Sequence, residues 1–338
     1  MASMAHLCLF FTIMVFLLVT QPTGIQGVGV NYGLLGDNLP TPDKVIALLQ
    51  SRSIQNVRIF DPNADVLKAL QGSSLQVIVG VRNQDLQQLS TDASVATNWV
   101  RTNVIPYAST VSFKYISAGN EVIPGPLAAY VLSAMKNLDG ALKAAGLSIP
   151  VTTCVSMQVL ASSYPPSQGV FSESASPMGP ITVFLEANQS PLLVNVYPYF
   201  AYNGDSKNIQ LGYALLTSTN VVTVDGSLRY DNIFYAMVDA VYAALEKAGG
   251  PNVEVVVSET GWPSAGNGNI ATTANARSYI NNLIGHVSAG SGTPRRPGKA
   301  LETYLFAIFN ENLKPAGEEQ NFGIYYPNMT EVYHVNFS

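Results

Sequence analysis

The stretch Val253-Glu-Val-Val-Val-Ser-Glu-Thr-Gly-Trp-Pro263 joins a β-branched apolar run to a polar end that carries one glutamate. A nearly continuous run of this kind is typical of a strand in a parallel sheet that is covered on both faces. Seven further strand-type runs occur along the chain. Together, the eight runs are residues 28–32, 55–60, 75–81, 114–119, 149–154, 192–197, 253–258 and 303–309.

Helix-forming segments separate these runs. Thr41-Pro-Asp43 is typical of a helix start and predicts a helix over 44–51, while Pro126 predicts the start of a helix over 127–145. Two more helices are predicted over 230–247 and 272–286. Strand and helix alternate eight times, which predicts an α/β fold of the (β/α)8 TIM barrel type. A doubly wound sheet is the alternative, but no glycine-rich phosphate motif follows any strand.

Two strand-to-helix connections, 155–191 and 197–230, are longer than a minimal barrel needs. They follow the fifth and sixth predicted strands, so we expect an enlarged loop subdomain around strands 5–7. Barrel enzymes build their sites from loops on this face. Because no repeat and no low-complexity linker interrupts the chain, residues 28–338 are predicted to form a single barrel domain.

The N-terminal segment 7–19 is apolar throughout except for Thr12. Its length suits the core of a secretory signal and is too short to span a bilayer. No lysine or arginine precedes it, which departs from the usual positive flank. We expect residues 1–27 to be a signal peptide, cleaved near Gly24 or Gly27, and the mature protein to be secreted.

The composition bears on the class of ligand. Charged residues make up 12% of the chain and aromatic residues 9%, with 17 tyrosines and a formal net charge of −5. Nothing in this balance favours a polyanionic partner such as nucleic acid, and no later segment is long and apolar enough for a membrane span. A neutral, hydroxyl-rich ligand that stacks on aromatic rings fits the composition better.

The cysteines and histidines do not form a recognisable metal site. Cys8 lies in the predicted signal peptide, so Cys154 has no disulfide partner in the mature chain. We expect Cys154 to be a small buried strand residue rather than a nucleophile. Because His6, His286 and His334 show no ligand spacing, the sequence predicts neither a metal nor a cofactor.

One glutamate stands just past each of two predicted strands, in Ala118-Gly-Asn-Glu121 and in Val257-Ser-Glu259. The carboxyl ends of barrel strands meet at one rim, so Glu121 and Glu259 are expected to face each other across the mouth. A retaining glycosidase uses two carboxyl groups about 5–5.5 Å apart, one ionised and one protonated. Asn120 is a candidate donor to the sugar hydroxyl next to the reacting carbon. The pattern alone does not say which glutamate takes which role.

Eight short motifs extend this observation over almost the whole chain after the predicted signal peptide. They are Val28-Gly-Val-Asn-Tyr-Gly33, Asn38-Leu-Pro40, Val57-Arg-Ile-Phe60, Gly119-Asn-Glu121, Val194-Asn-Val-Tyr-Pro-Tyr-Phe200, Val257-Ser-Glu-Thr-Gly-Trp-Pro-Ser264, Phe309-Asn-Glu-Asn-Leu-Lys314 and Asn321-Phe-Gly323. With these motifs, the chain resembles the plant endo-β-1,3-glucanases of glycoside hydrolase family 17. The resemblance implies a catalytic (β/α)8 barrel that cleaves internal β-1,3-glucosidic bonds with retention. It also implies that Glu121 is the acid/base and Glu259 the nucleophile.

The resemblance further implies a supporting cluster on the loop after the eighth strand, carried over to Glu311, Lys314 and Glu319. A lysine between carboxylates favours their ionised forms and holds hydrogen bonds around the site. From the residues alone, Glu311 and Lys314 could equally be an exposed pair. The family spacing differs here by about one residue, so Glu318 is an alternative to Glu319. Glu319 is preferred because of its distance to Phe322.

Aromatic residues near the predicted catalytic face are candidates for sugar stacking. Tyr32, Tyr199 and Phe200 are expected to be substrate-binding residues, because the CH faces of sugar rings stack on aromatic rings. Core packing is the alternative for each of them. Arg58, in the second predicted strand, is expected to orient a catalytic carboxylate from inside the barrel.

The expected partner is a β-1,3-glucan polysaccharide in plant or fungal walls, cut by a secreted, monomeric enzyme. The apoplast or cell wall is a better expectation for its location than the vacuole. Within the same class, a mixed-linkage β-1,3-1,4-glucanase on the same scaffold is the closest alternative. In another class, an inactive, lectin-like glucan-binding barrel is disfavoured because both glutamates are present.

Overall fold

A closed barrel of eight parallel strands forms the centre of the computed structural model, which describes residues 28–337. Within these residues the strands are β1 (Val28–Asn31), β2 (Asn56–Ile59), β3 (Gln76–Val81), β4 (Ser112–Asn120), β5 (Val151–Ser156), β6 (Leu160–Ser162), β7 (Val170–Phe171), β8 (Leu192–Asn195), β9 (Thr223–Asp225), β10 (Leu228–Tyr230), β11 (Val255–Thr260) and β12 (Thr303–Leu305). The order around the barrel is β1-β12-β11-β8-β5-β4-β3-β2. Each barrel strand falls on one of the predicted runs, and the (β/α)8 barrel is confirmed. The predicted signal peptide at 1–27 lies outside the described residues.

Helices connect most of the barrel strands. In residues 28–337 they are α1 (Pro42–Ser51), α2 (Ala64–Leu70), α3 (Leu86–Thr91), α4 (Ala93–Asn103), α5 (Ala128–Ala144), α6 (Met178–Asn188), α7 (Pro198–Gly204), α8 (Leu211–Ala214), α9 (Ile233–Lys247) and α10 (Thr273–Ser288). Side-chain caps define several starts: Asn63 accepts hydrogen bonds from the backbone at the start of α2, and Asn232 does so at α9. None of these helices is both long and apolar enough to cross a membrane.

Both faces of the barrel strands are buried, which explains their continuous apolar runs. Along β3, Val77 and Val79 belong to the large core between the strands and the helices, whereas Ile78 points to the barrel interior. There it packs with Cys154 and Tyr304 in a small separate cluster. Cys154 is thus a fully buried strand residue, as expected.

The strand–helix alternation differs from the expectation after β12. In the described part of the chain, no α-helix follows this strand, and residues 306–337 run as extended and turn segments with one short 3-10 helix at Glu318–Gln320. The backbone of Ala307 bonds to Phe322 and Ile324, so that the segment folds back on itself beside the barrel. Pro315 and Gly323 fall within this stretch, where either residue disfavours a helix.

The enlarged loop subdomain consists of the connections after β5 and β8. The first carries the β6–β7 hairpin, and the second carries α7, α8 and the β9–β10 hairpin. The two connections are tied together because the hydroxyl of Ser167 donates to Asp225 at 2.7 Å. Lys247 of α9 adds hydrogen bonds to the carbonyls of Ser167 and Gly169. These contacts fix the loops that border the barrel mouth.

Candidate active site

A groove of about 1470 Å³ crosses the barrel at the carboxyl ends of its strands. Its wall includes Leu35, in the connection after β1, and Tyr164, in the long connection after β5 that carries β6 and β7. These two strands lie four places apart in the ring of eight and therefore on opposite sides of the barrel. Glu121 and Glu259 both line the groove between them. The groove thus spans the mouth from one side to the other and holds both predicted carboxyl groups.

Glu259 is held from two sides at the end of β11. Nη1 of Arg58 lies 2.8 Å from Oε1 of Glu259, and the hydroxyl of Tyr197 donates to Oε2 at 2.8 Å. The glutamate is only 6% exposed and Arg58 only 1% exposed. A carboxylate accepts hydrogen bonds, and both partners of Glu259 are donors, one of them a buried cation. Arg58 therefore orients Glu259 from inside the barrel, as the sequence predicted.

Glu121 has a different environment at the end of β4. It sits in the left-handed region at φ 54°, directly after the last two residues of β4, where Gly119 has φ 80° and the pairing with β5 shifts in register. Glu121 is exposed at the groove, and Nδ2 of Asn195 donates to its Oε1 at 2.8 Å. Partial desolvation by the protein around the groove, followed by repulsion from Glu259, raises the pKa of Glu121 above its usual value. This shift favours the protonated form of Glu121, which is the form that a proton donor needs.

Asn120 lies in the network that links the two glutamates. Nη2 of Arg58 donates to its Oδ1 at 2.8 Å, and Nδ2 of Asn195 lies 3.3 Å from the same atom. The side chain of Asn83 forms two hydrogen bonds with the backbone of Asn120, at 2.8 and 3.0 Å. Arg58, Asn120 and Asn195 thus form a continuous path from Glu259 to Glu121.

The supporting cluster lies beside the groove after β12. Glu311 is buried and accepts a hydrogen bond from the backbone of Leu35 at 2.7 Å. Nζ of Lys314 lies 3.9 Å from Glu311 and 3.8 Å from Glu319. Burial raises the pKa of Glu311, and the charge of Lys314 opposes that rise. A side chain in place of Gly33 would meet the Glu311 carboxylate, since an added Cβ falls 2.3 Å from Oε2.

The two adjacent glutamates on this loop point to different neighbours. Glu319 lines the groove and faces Lys314, whereas Glu318 accepts a hydrogen bond from the hydroxyl of Tyr199. The inner place beside Lys314, which the sequence left open between the two, is therefore taken by Glu319.

The three candidate substrate-binding aromatics are placed differently. Phe200 is 42% exposed and lines the groove, and Tyr32 lines it with only a small exposed surface. Tyr199 is fully buried against Trp262 and Phe200 and is not part of the groove wall. The structure thus brings Tyr32 and Phe200 to the groove and leaves Tyr199 behind Phe200 as its support.

Sequence reasoning gave no role to Asn195 or Asn83, and it considered Tyr197 only as a weaker candidate for sugar stacking. Asn195 ends β8 and Asn83 follows β3, so both occupy the same rim as the glutamates. The rule that polar residues at barrel strand ends point to the site would have found Asn195. The role of Tyr197 depends on the turn into α7, which directs its hydroxyl to Glu259. Across residues 28–337, no three His, Cys, Asp or Glu side chains are grouped so that they could hold a metal ion.

Comparisons with known proteins agree with this geometry. The family described as glycosyl hydrolases family 17 matches residues 28–337. A putative glucan endo-1,3-beta-glucosidase GVI of Hordeum vulgare is 58% identical over 93% of this chain and 98% of its own length. Lichenase-2 of Hordeum vulgare is 46% identical over 94% of this chain and all of its own length.

A solved structure agrees as well. The β-1,3-glucanase and allergen CJP38 of Cryptomeria japonica pollen is 45% identical, with a TM-score of 0.90 over 93% of this chain and 99% of that one. The family match covers nearly the whole described chain, and the relatives match along almost their full lengths. This chain is a member of glycosyl hydrolase family 17.

Proposed function

We propose that this protein hydrolyses internal β-1,3-glucosidic bonds of β-glucan with retention of configuration, and that Glu259 is the nucleophile and Glu121 the acid/base. The single observation that carries the proposal is the asymmetry between the two glutamates in one groove. Arg58 and Tyr197 donate to Glu259, whereas burial and the charge of Glu259 raise the pKa of Glu121. A retaining glycosidase requires one ionised and one protonated carboxyl group.

In the first step, an oxygen of Glu259 attacks the anomeric carbon and forms a glycosyl ester. Glu121 gives its proton to the oxygen of the breaking glycosidic bond, so that the leaving sugar departs as a neutral alcohol. Asn120 lies beside Glu121 with its side-chain oxygen held by Arg58, which leaves its NH2 group free to meet the sugar hydroxyl next to the reacting carbon. The positive charge that develops on the sugar ring in the transition state is stabilised by the carboxylate of Glu259.

In the second step, water replaces the leaving sugar. Glu121, now ionised, removes a proton from that water, and the hydroxide attacks the anomeric carbon. The bond to Glu259 breaks, and the carboxylate returns to its hydrogen bonds with Arg58 and Tyr197. Glu121 ends protonated, so both groups are restored. Two inversions at one carbon give net retention.

The shape of the groove supports internal cleavage of a polymer. The groove runs from the loop after β1 to the loop after β5, so a chain can extend past the glutamates on both sides. Phe200 and Tyr32 offer aromatic surface along it, and stacking on sugar CH faces suits a neutral glucan. The β-1,3 linkage is supported by the name of the barley relative that is 58% identical.

A mixed-linkage glucanase is the second candidate, because Lichenase-2 matches this chain over its full length. The test offers purified protein laminarin, barley mixed-linkage glucan and chitin separately, and follows new reducing ends and product lengths. Rapid shortening of laminarin into mixed oligosaccharides supports the proposal. Faster cleavage of mixed-linkage glucan favours the second candidate. Glucan binding without any cleavage favours an inactive, lectin-like barrel.

We further propose that the protein is secreted to the apoplast or cell wall and acts as a monomer. The apolar segment 7–19 supports secretion, because its length matches a signal core. Expression of the full chain in plant cells, followed by N-terminal sequencing of protein from the extracellular fluid, tests this. A mature N-terminus close to Val28 is expected, and retention of Met1 in intracellular protein would contradict secretion.

A further inference from the structure

Asn195 contacts two sets of partners through opposite ends of its side-chain amide. Nδ2 lies 2.8 Å from Oε1 of Glu121 and 3.3 Å from Oδ1 of Asn120. At the other end, Oδ1 lies 2.9 Å from Oγ of Ser258 and 3.1 Å from Sγ of Cys154. The amide therefore connects the barrel interior to the carboxyl group at its mouth.

The neighbours determine which end of this amide is the oxygen. Arg58 carries only donors, and its Nη2 lies 2.8 Å from Oδ1 of Asn120, so that atom is an acceptor. The Asn195 atom that faces it must then be the NH2 group. Nη1 of Arg58 lies 3.4 Å from the opposite end, which must be the oxygen. The orientation of the amide thus follows from its contacts.

Cys154 and Ser258 lie directly behind that oxygen. Both are fully buried, and Sγ of Cys154 lies 3.2 Å from Oγ of Ser258. Burial raises the pKa of the Cys154 thiol to about 12, so the thiol keeps its proton and can donate. If the Asn195 amide were reversed, its NH2 group would face these two donors and Arg58. Both donors would lose their acceptor, and a carbonyl oxygen would face Glu121.

We propose that Cys154 and Ser258 are positioning residues, which hold the Asn195 amide with its NH2 group toward Glu121 and thereby stabilise the ionised form of Glu121 that the second step needs. The proposal rests on the acid/base role proposed for Glu121. A hydrogen bond to a carboxylate favours its ionised form and so opposes burial. The charged groups that face Glu121 are Glu259, Arg58 and Glu319, and changes at Cys154 or Ser258 leave all three in place.

The test is the alkaline limb of the pH profile of kcat/KM on laminarin, because this limb reports the proton of Glu121 in the free enzyme. Asn195→Ala serves as the reference variant, and its alkaline limb should lie at a pH about one unit higher than that of the parent protein. Cys154→Ala with Ser258→Ala should move it in the same direction by roughly half a unit or more. Cys154→Ser keeps a donor and should return the limb close to that of the parent protein.

Two controls separate positioning from general damage. Thr153→Val removes a buried hydroxyl from the next residue of β5, where it donates to the carbonyl of Ala118 at 2.8 Å. This variant should lower the melting temperature without moving the limb. In the Asn195→Ala background, Cys154→Ala should cause no further shift, since the amide through which it acts is gone. If the double alanine variant does not fold, the two single variants carry the same comparison.

The outcomes distinguish this proposal from the proposed function. If Asn195→Ala moves the limb and the Cys154 and Ser258 variants do not, the positioning proposal is overturned. It is also overturned if Cys154→Ala shifts the limb equally with and without Asn195. If Asn195→Ala itself leaves the limb unmoved, the amide does not act on Glu121 and the positioning proposal is overturned, whereas undiminished turnover of laminarin by Glu121→Gln would overturn the role of Glu121.

Discussion

Nη1 of Arg58 lies 2.8 Å from Oε1 of Glu259, and both groups are withdrawn from solvent at the barrel mouth. The same guanidinium donates through Nη2 to Asn120, the residue before Glu121. One arginine therefore organises both halves of the site. Its position in β2, across the interior from β11, makes the geometry of the glutamates a property of the closed barrel.

Replacement of the nucleophile should abolish turnover and spare binding. Glu259→Gln keeps the size of the side chain and an oxygen that can accept from Arg58, but an amide cannot form the glycosyl ester. We expect kcat on laminarin to fall on the order of 10⁴-fold or more. Titration calorimetry with a laminarin oligosaccharide should still detect binding. Glu254→Gln is the matched control, because Glu254 pairs with Lys299 on the surface, and it should keep full kcat. Undiminished turnover by Glu259→Gln would overturn the assignment.

The pH profile should reflect the raised pKa of Glu121. The acid must be protonated in the first step, so kcat/KM should fall as pH rises through a pKa above the ordinary 4.5 of a glutamate. Glu319 contributes repulsion that raises this pKa. Glu319→Gln should therefore move the alkaline limb to lower pH by a few tenths of a unit. Glu173→Gln, at an exposed site, should leave the profile in place. A limb that moves upward in Glu319→Gln would contradict the electrostatic argument.

The exposed ring of Phe200 should contribute to substrate binding. Phe200→Ala removes the most exposed of the candidate aromatics on the groove wall, and KM for laminarin oligosaccharides should rise about 3–10-fold with little change in kcat. Tyr326→Ala removes a ring of similar exposure that does not line the groove, and it should leave KM unchanged. Equal KM values for both variants would show that the glucan does not bind against the ring of Phe200.

A buried aspartate away from the groove should make stability depend on pH. Burial raises the pKa of Asp239 to about 6, above 3.8 for an ordinary aspartate. Between these values the folded state binds the additional proton, so the free energy of unfolding should fall as pH rises, by about 1.4 kcal/mol per unit. Asp239→Asn should remove this slope, because an amide does not titrate. Its oxygen can still accept from Tyr230 and from the backbone of Arg295, so the local hydrogen bonds are kept.

Urea unfolding at pH 4.5 and pH 7 measures the difference. Asp239→Asn should be more stable than the parent protein at pH 7 and closer to it at the lower pH. Asp139→Asn is the control, since Asp139 pairs with Lys143 on the surface and should change stability little. An unchanged slope in Asp239→Asn would contradict the prediction.

The barrel could be predicted from the sequence because each strand carries its own signal. Runs such as 253–258 are nearly continuously apolar, and polar residues at their ends indicate the rim on which Glu121 and Glu259 lie. The connection after β12 could not be predicted in the same way. Its backbone pairs Ala307 with Phe322 and Ile324, a contact across the chain that no local pattern records.

The side-chain network of the site was less predictable for a related reason. Phe200 and Tyr199 are adjacent aromatics with the same local signal, yet the turn of α7 directs one to the groove and the other into the core. Asn195 gained its role because β8 pairs with β5 on one side and with β11 on the other. Contacts of this kind depend on the three-dimensional register of strands far apart in sequence.

The stereochemistry of the first product tests the paired roles of Glu121 and Glu259 most directly. Proton NMR during the first minutes of laminarin cleavage distinguishes the anomers of the new reducing end before they interconvert. Double displacement through Glu259 predicts that the β-anomer appears first and that the α-anomer follows only by mutarotation. An α-anomer as the initial product would show single displacement by water and contradict the assignment of Glu259 as nucleophile.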